Sequence, residues 1–187
     1  MPITPLAAMH AVAAALPPDT VVVDEAISSG VGLRTFVRSD DAKSFFGVRG
    51  GGIGWGLPAA IGVKLALPHR PVVGLVGDGS AMYTCQALWT AAHLGLTVVL
   101  VILNNASYRI LKQRIHAMKG LAAEADRYVA MDIDDPPVDF VGLARALGAE
   151  AERVEKAAGI GPAMVGALAR RGPTLLDVQM DRSFKPV

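Results

Sequence analysis

A length of 187 residues gives room for one folded domain with a substantial core, and at most a small appendage. Eighteen basic residues against 17 acidic leave a net charge of +1 without any basic run, which excludes an electrostatic footprint for nucleic acid or an anionic membrane. The single Cys85 excludes an internal disulfide and fits a reducing, cytoplasmic setting. No basic-then-apolar leader opens the sequence, and no apolar run approaches a membrane span.

In chain order, Thr4 is placed to cap a helix with Pro5 at its first position. Leu6, Met9, Ala13 and Leu16 follow at helical spacing, and Pro17-Pro18 ends it. Val21-Val22-Val23 reads as a short buried strand, followed by the polar end Asp24 to Gly30 and a helix over Val31 to Phe36. Residues 37 to 54 read as irregular and glycine-dense, ending in Gly50-Gly51-Gly52-Ile53-Gly54. Leu57 to Leu67 is helical with Pro58 in its first turn, and Pro68 closes it. The apolar run Val72 to Val76 predicts a strand buried on both faces, Met82 to His93 a helix stopped by Gly95, and Thr97 to Leu103 a second buried strand. A helix over Tyr108 to Met118 precedes a long polar connection, 119 to 138, carrying Asp132, Asp134 and Asp135. Asp139 is placed to cap a helix over Phe140 to Leu147. A strand at Glu152 to Val154, a helix over Pro162 to Arg170 and a strand at Thr174 to Val178 complete the chain. This alternation predicts a doubly wound α/β fold over residues 1–187, a mostly parallel sheet with helices on both faces. The 52% hydrophobic content predicts such a core together with apolar surface that a partner covers.

The chemistry concentrates where two of these strands end. Gly77-Asp78-Gly79-Ser80 follows one and Asn104-Asn105 the other. In a parallel sheet both sites lie at the carboxyl edge, where open α/β folds bind ligands. Asp78 and Asn105 can therefore meet although 27 positions apart. Magnesium takes oxygen ligands in near-octahedral array with one or two carboxylates, leaving the remainder to phosphate and water. Asp78 offers the charged ligand, the Asn105 side chain a neutral one and the Ser107 carbonyl a third. Gly77 and Gly79 let the backbone turn and approach a phosphate, and Gly79, Ser80 and Ala81 open a helix whose free amides suit an anion. The competing assignments are a helix cap at Asp78 with a turn at the asparagines, a flexible loop at Gly50 to Gly54, and a dinucleotide fingerprint at Gly54-x-Gly56-x-x-Ala59. The last lacks the leading strand it requires.

The pair Gly77-Asp78-Gly79-Ser80 and Asn104-Asn105 resembles the thiamine diphosphate motif, GDG and then NN after a helix and a strand. The resemblance covers nearly the whole chain, as the carboxy-terminal, diphosphate-binding domain of the benzoylformate decarboxylase and acetolactate synthase group. The segments Gly54-Trp55-Gly56-Leu57-Pro58-Ala59-Ala60-Ile61-Gly62 and Ala87-Leu88-Trp89-Thr90-Ala91-Ala92 are most similar to benzoylformate decarboxylases. It implies thiamine diphosphate and Mg2+ as cofactors, with Asp78, Asn105 and the backbone oxygen of Ser107 holding the metal. Gly79 and Ser80, beside the turn at Gly77, and Ser28 and Ser29 from the earlier strand end would bind the diphosphate. Ile53 matches the apolar residue that wedges between the two cofactor rings and bends them into a V. The Gly51 carbonyl would accept from the 4′-amino group and press it toward the thiazolium C2. Tyr108 and His116, following the metal site, are candidates to face cofactor or substrate.

The same resemblance implies an activating glutamate that this chain does not supply, since it comes from a pyrimidine-binding domain, usually of a neighbouring subunit. The expectation is a 2-oxo acid decarboxylase half that is inactive alone and acts within a homo- or hetero-oligomer. An acetolactate synthase-like carboligase and a non-catalytic assembly or regulatory subunit are the alternatives. Arg109, Lys112 and Arg114 suggest an acidic or polar substrate side chain. His93 suits a helix end, Cys85 reads as a small core residue on the helix after the metal loop, and the Asp132 cluster as a solvated loop.

Overall fold

The computed structural model describes residues 1–30 and 32–184. At its centre lies one parallel sheet built from β1 (Val21–Glu25), β2 (Phe45–Gly47), β3 (Val72–Gly77), β4 (Val99–Asn104), β5 (Glu150–Val154) and β6 (Thr174–Gln179). Their spatial order is β2-β1-β3-β4-β6-β5, every neighbouring pair running parallel. Helices cover both sides: α1 (Pro5–Ala14), α2 (Leu33–Phe36), α3 (Gly56–Ala66), α4 (Asp78–Ala81), α5 (Ala87–His93), α6 (Arg109–Ala117), α7 (Leu121–Glu124), α8 (Phe140–Ala146) and α9 (Ala157–Ala169). None is long and apolar enough to cross a membrane.

Side chains alternate across a strand, so a sheet covered twice needs apolar residues at every position. Val22, Leu75, Val101 and Leu176 face Met9 and Val12 of α1, Leu33 of α2, and Ile160 and Met164 of α9. Their neighbours Val23, Val76, Leu100 and Ile102 face the opposite layer, where Leu57, Ile61, Leu88 and Phe140 come from α3, α5 and α8. That explains the unbroken apolar runs at 72–76 and 97–103.

Connectivity determines where a crevice opens. From β1 the chain moves outward to β2 and then returns across to β3 on the other flank. The two neighbours β1 and β3 therefore send their connections in opposite directions, which leaves a gap outside their carboxyl ends. Glu25 pairs with Val76 in register, so the end of β1 stands directly beside the Gly77-Asp78 turn.

Several elements depart from the sequence reading. β1 continues through Asp24 and Glu25, and β2 emerges inside the stretch expected to be irregular, because three residues carry no periodicity. β4 begins at Val99 and continues through Asn104. Of the helix expected over Met82 to His93 only α5 forms: a separate turn of helix, α4, precedes it from Asp78, and a turn occupies 82 to 86. In that turn Thr84 Oγ1 donates to the Gly54 carbonyl at 2.8 Å, a tie that a continuous helix does not announce. α9 begins at Ala157 and holds Pro162 inside, since the buried spacing Ile160, Met164, Ala167 outweighs the lost backbone bond. A single helical turn, α7, interrupts the long connection. Asp139 precedes α8 without a side-chain capping bond, and its Oδ1 pairs with Arg153 at 3.2 Å. Val31, expected to begin the second helix, lies outside the described residues.

Leu100 is 0% exposed in a central strand, so Leu100→Ala lowers the unfolding free energy by about 2–5 kcal/mol. Leu65 on α3 is 53% exposed, and Leu65→Ala changes it by less than about 0.5 kcal/mol. Urea unfolding midpoints of the two variants check both.

Candidate functional site

Three strand ends build the site. β3 delivers Asp78, β4 delivers the two asparagines, and β1 delivers Glu25 and the turn at Ile27 and Ser28. Asp78 is 2% exposed. Burial pushes its carboxyl up to about 6, and the backbone N–H groups of Gly79, Ala106 and Ser107 counteract part of that rise. Ser107 N donates to Asp78 Oδ2 at 3.3 Å, which fastens the turn after β4 onto the turn after β3.

The two asparagines have different surroundings. Asn104 Nδ2 donates to the buried Asp177 Oδ1 at 2.9 Å, and its Oδ1 accepts from Ala106 N at 3.1 Å, so it ties β4 to β6. Asn105 Nδ2 lies 3.5 Å from Ser28 Oγ, while its Oδ1 is buried without a hydrogen-bond partner. An acceptor lone pair in that state carries a desolvation cost of about 1–3 kcal/mol. A deprotonated Asp78 and the Asn105 oxygen form a donor set suited to a hard cation, and an oxygen-only set suits magnesium. Ala106 turns the chain with a positive φ of 55°. Met131 O accepts from Tyr108 N at 2.9 Å and from Ser107 Oγ at 2.8 Å, and Ile133 N donates to Ala106 O at 2.8 Å.

A cleft of about 80 Å³ opens at this point. Of the residues singled out in the sequence, Ser28, Ile53, Gly77, Asp78, Gly79, Ser80, Ser107 and Tyr108 line it. Gly79 has to be glycine, because a Cβ there would fall 2.5 Å from Cε1 of the Tyr108 ring. Glu25, Arg109 and the apolar Ile27, Ile110 and Leu111 complete the lining. Asn105 sits buried behind the cleft. Ser29 is buried with an unpartnered hydroxyl and does not reach the cleft, and Gly51 is exposed on the loop, away from it. A larger cavity, about 230 Å³, has Asp78 and Asn104 in its wall and shares Asp78 with the cleft. Its cations already have partners: Arg153 lies 3.0 Å from Asp177 and 3.2 Å from Asp139, and Arg182 donates to Gln179 at 3.3 Å.

Other expectations change. Arg109 borders the cleft, but its guanidinium donates to the Asp181 carbonyl, and Lys112 pairs with Asp132, so neither cation is open to a substrate. His116 Nδ1 lies 2.9 Å from the Tyr128 hydroxyl, with Phe184 edge-on to both rings. His93 ends α5 as expected, and it also stacks on Trp89 with ring centroids 4.9 Å apart. Cys85 lies in the turn between α4 and α5 rather than on a helix. Among the described residues no group of three or more His, Cys, Asp and Glu is placed to hold a metal, the Asp132 cluster included. Sequence reasoning missed Glu25. Its carboxylate follows a buried valine run just as Asp78 does, and that shared pattern was the available signal.

The family model described as "Thiamine pyrophosphate enzyme, C-terminal TPP binding domain" matches residues 28–178. A Mycobacterium tuberculosis protein provisionally named acetolactate synthase large subunit IlvX is 40% identical over 179 residues, covering 94% of this chain and 34% of that protein. Benzoylformate decarboxylase of Pseudomonas aeruginosa is 34% identical over 177 residues, covering 95% of this chain and 32% of the enzyme. The solved structure of the thiamine diphosphate-dependent 4-hydroxybenzoylformate decarboxylase of Rhodococcus jostii RHA1 superposes with a TM-score of 0.88 at 34% identity, over 98% of this chain and 34% of that one. The chain thus spans about a third of the length of the curated relatives it matches. With β3 and β4 presenting Asp78 and Asn105 on one edge, and with that match over most of its length, the chain belongs to the thiamine pyrophosphate enzymes, as their C-terminal TPP-binding domain.

Proposed function

We propose that residues 1–187 act as one domain, the diphosphate- and magnesium-binding half of a thiamine diphosphate-dependent 2-oxo acid decarboxylase. The observation that carries this reading is the buried, unpartnered Asn105 Oδ1 beside an Asp78 carboxyl whose pKa burial has raised. Both are oxygen donors of the kind a hard cation takes. Asp78, Asn105 Oδ1 and the Ser107 carbonyl would hold Mg2+, and the metal would carry the diphosphate. Gly79, Ser80 and Ser28 surround the phosphate end of the cleft, with Gly77 making the turn and Ser29 behind. Ile53 supports the cofactor rings, the Gly51 carbonyl orients the 4′-amino group, and Tyr108 closes the wall over Gly79. When bound, thiamine diphosphate supplies the carbon nucleophile and the electron sink that loss of carbon dioxide requires.

The chain's own residues shape what enters. Ile27, Ile110 and Leu111 line the mouth, and the neighbouring Arg109 and Lys112 are engaged elsewhere, which favours a 2-oxo acid with an apolar side chain and keeps water from the reacting carbon. Glu25, the one glutamate in the cleft wall, has its carboxylate engaged by backbone amides and is unavailable to the aminopyrimidine. The activating carboxylate therefore comes from a pyrimidine-binding domain, on another chain or elsewhere in a longer protein, within a cytoplasmic oligomer. Carboligation is the second reading, favoured by the acetolactate synthase name of the mycobacterial relative. Product analysis with the pyrimidine-binding domain present separates an aldehyde from a ligated hydroxyketone.

Calorimetric titration of thiamine diphosphate is expected to give binding with Mg2+ that chelator abolishes. Asp78→Ala and Asn105→Ala should each weaken it at least tenfold, about 1.4 kcal/mol. Heat indifferent to metal and to both substitutions would sink the site.

A pH effect follows as well. A carboxyl raised from 3.8 to about 6 on folding stabilises the fold fully below pH 3.8, and this contribution is lost as pH rises through 6. Metal-free Asp78→Asn should therefore match the wild type near pH 4. At pH 7.5 it should exceed it by on the order of 3 kcal/mol. Magnesium and thiamine diphosphate should raise the melting temperature of the wild type alone. Melting curves at the two pH values check this, and an unchanged gap between the proteins would refute it.

A further inference from the structure

Glu25 ends β1 with its side chain inside the protein, 1% exposed. Its Oε1 accepts from Gly54 N at 2.8 Å and Trp55 N at 3.2 Å, and its Oε2 accepts from Gly56 N at 2.6 Å. Three successive amides thus converge on one carboxylate from a strand about thirty positions away. They are the free donors at the start of α3, where Trp55 provides no side-chain cap. The fit leaves no slack: a Cβ on Gly56 would lie 2.8 Å from Glu25 Oε2 and 2.8 Å from Val76 Cγ2.

Gly54 is held at both ends. Its amide is on Glu25 and its carbonyl accepts from Thr84 Oγ1 at 2.8 Å. Its φ of +96° is a conformation that favours glycine, and a Cβ there would fall 2.7 Å from Tyr83 Cβ. On the other side of Ile53, Gly50, Gly51 and Gly52 have nothing within 4 Å of where a Cβ would stand. The glycine run is therefore open up to Gly52 and clamped from Gly54 onward. Ile53, which lines the cleft, is the last residue before the clamp.

The geometry points to Glu25 as a positioning residue that places Ile53 against the ring half of thiamine diphosphate and contributes nothing to the diphosphate subsite. This rests on the cofactor site proposed above. A carboxylate is required because all three partners are donors. Glutamine would turn an NH2 group toward at least one of them, and aspartate falls a methylene short.

Two probes divide the site in the full chain with Mg2+: inorganic diphosphate, which reads the metal and phosphate positions alone, and thiamine diphosphate, which adds the rings. In the wild type the rings should improve affinity. Glu25→Gln should leave inorganic diphosphate affinity within twofold and weaken thiamine diphosphate at least tenfold, approaching Ile53→Ala. The double variant should be no weaker than Ile53→Ala, since both changes remove one contact. Thr84→Val, which releases the other end of Gly54, should show the same selective loss, and decides the matter if Glu25→Gln does not fold. Equal loss on both probes, no loss, additive losses, or a wild type that gains nothing from the rings would each overturn the inference while leaving the metal site standing. A wild type that binds neither probe in a magnesium-dependent way would overturn the cofactor site itself, and the inference with it.

Discussion

Two parallel strands deliver their carboxyl ends to the same edge, and the pairing of β3 with β4, Gly77 opposite Leu103, is the constraint on which the site depends. It sets Asp78 and the turn after Asn104 within hydrogen-bonding distance and closes the loop through Ser107 N and Asp78 Oδ2. An antiparallel pair would send the two motifs to opposite ends of the sheet. The apolar run of each strand, buried on both faces, enforces the pairing, so the hydrophobic core is the positioning device for the polar site. The reversal of connections between β1 and β3 then leaves room beside it.

The electrostatics oppose folding locally. A carboxylate at 2% exposure is undersolvated despite the backbone amides that counteract its burial, and the Asn105 amide oxygen is buried without a partner. On the same edge Asp177 receives Asn104, Arg153 and Gln179, and Glu25 receives three amides. The contrast separates groups that hold the fold together from groups that the fold leaves undersolvated. Strain of this kind persists only where the surrounding structure over-determines it.

What could be read from the sequence follows the range of the interactions. Strand burial is local, so the Val72 and Val98 runs announced the parallel sheet, and the polar residues after them announced the site. The break between α4 and α5 was hidden, because it depends on Thr84 meeting Gly54, thirty positions away. Arg109 and Lys112 read as open cations because their partners, the Asp181 carbonyl and Asp132, are brought to them only by the folded chain. Pro162 read as a helix start because proline favours the first turn, and only the packing of Ile160 and Met164 reveals the turn before it. Glu25 was passed over for the same reason: the three amides that define it belong to a segment read as loose.

The stitching of residues 106–108 to residues 131–133 joins two parts of very different character. One is the turn that carries Ser107 and follows Asn105; the other closes a long surface connection between α6 and α8. Met131 O and Ile133 N hold three hydrogen bonds to that turn, so motion in the connection is transmitted to the turn that Ser107 N fastens to Asp78. Ordering of the outer segment by any contact lowers the conformational entropy that the inner turn retains. The reverse holds equally, since coupling of this kind is reciprocal. The turn after β4 and its outer brace are in this sense one thermodynamic element, and the surface end is where other molecules can reach it.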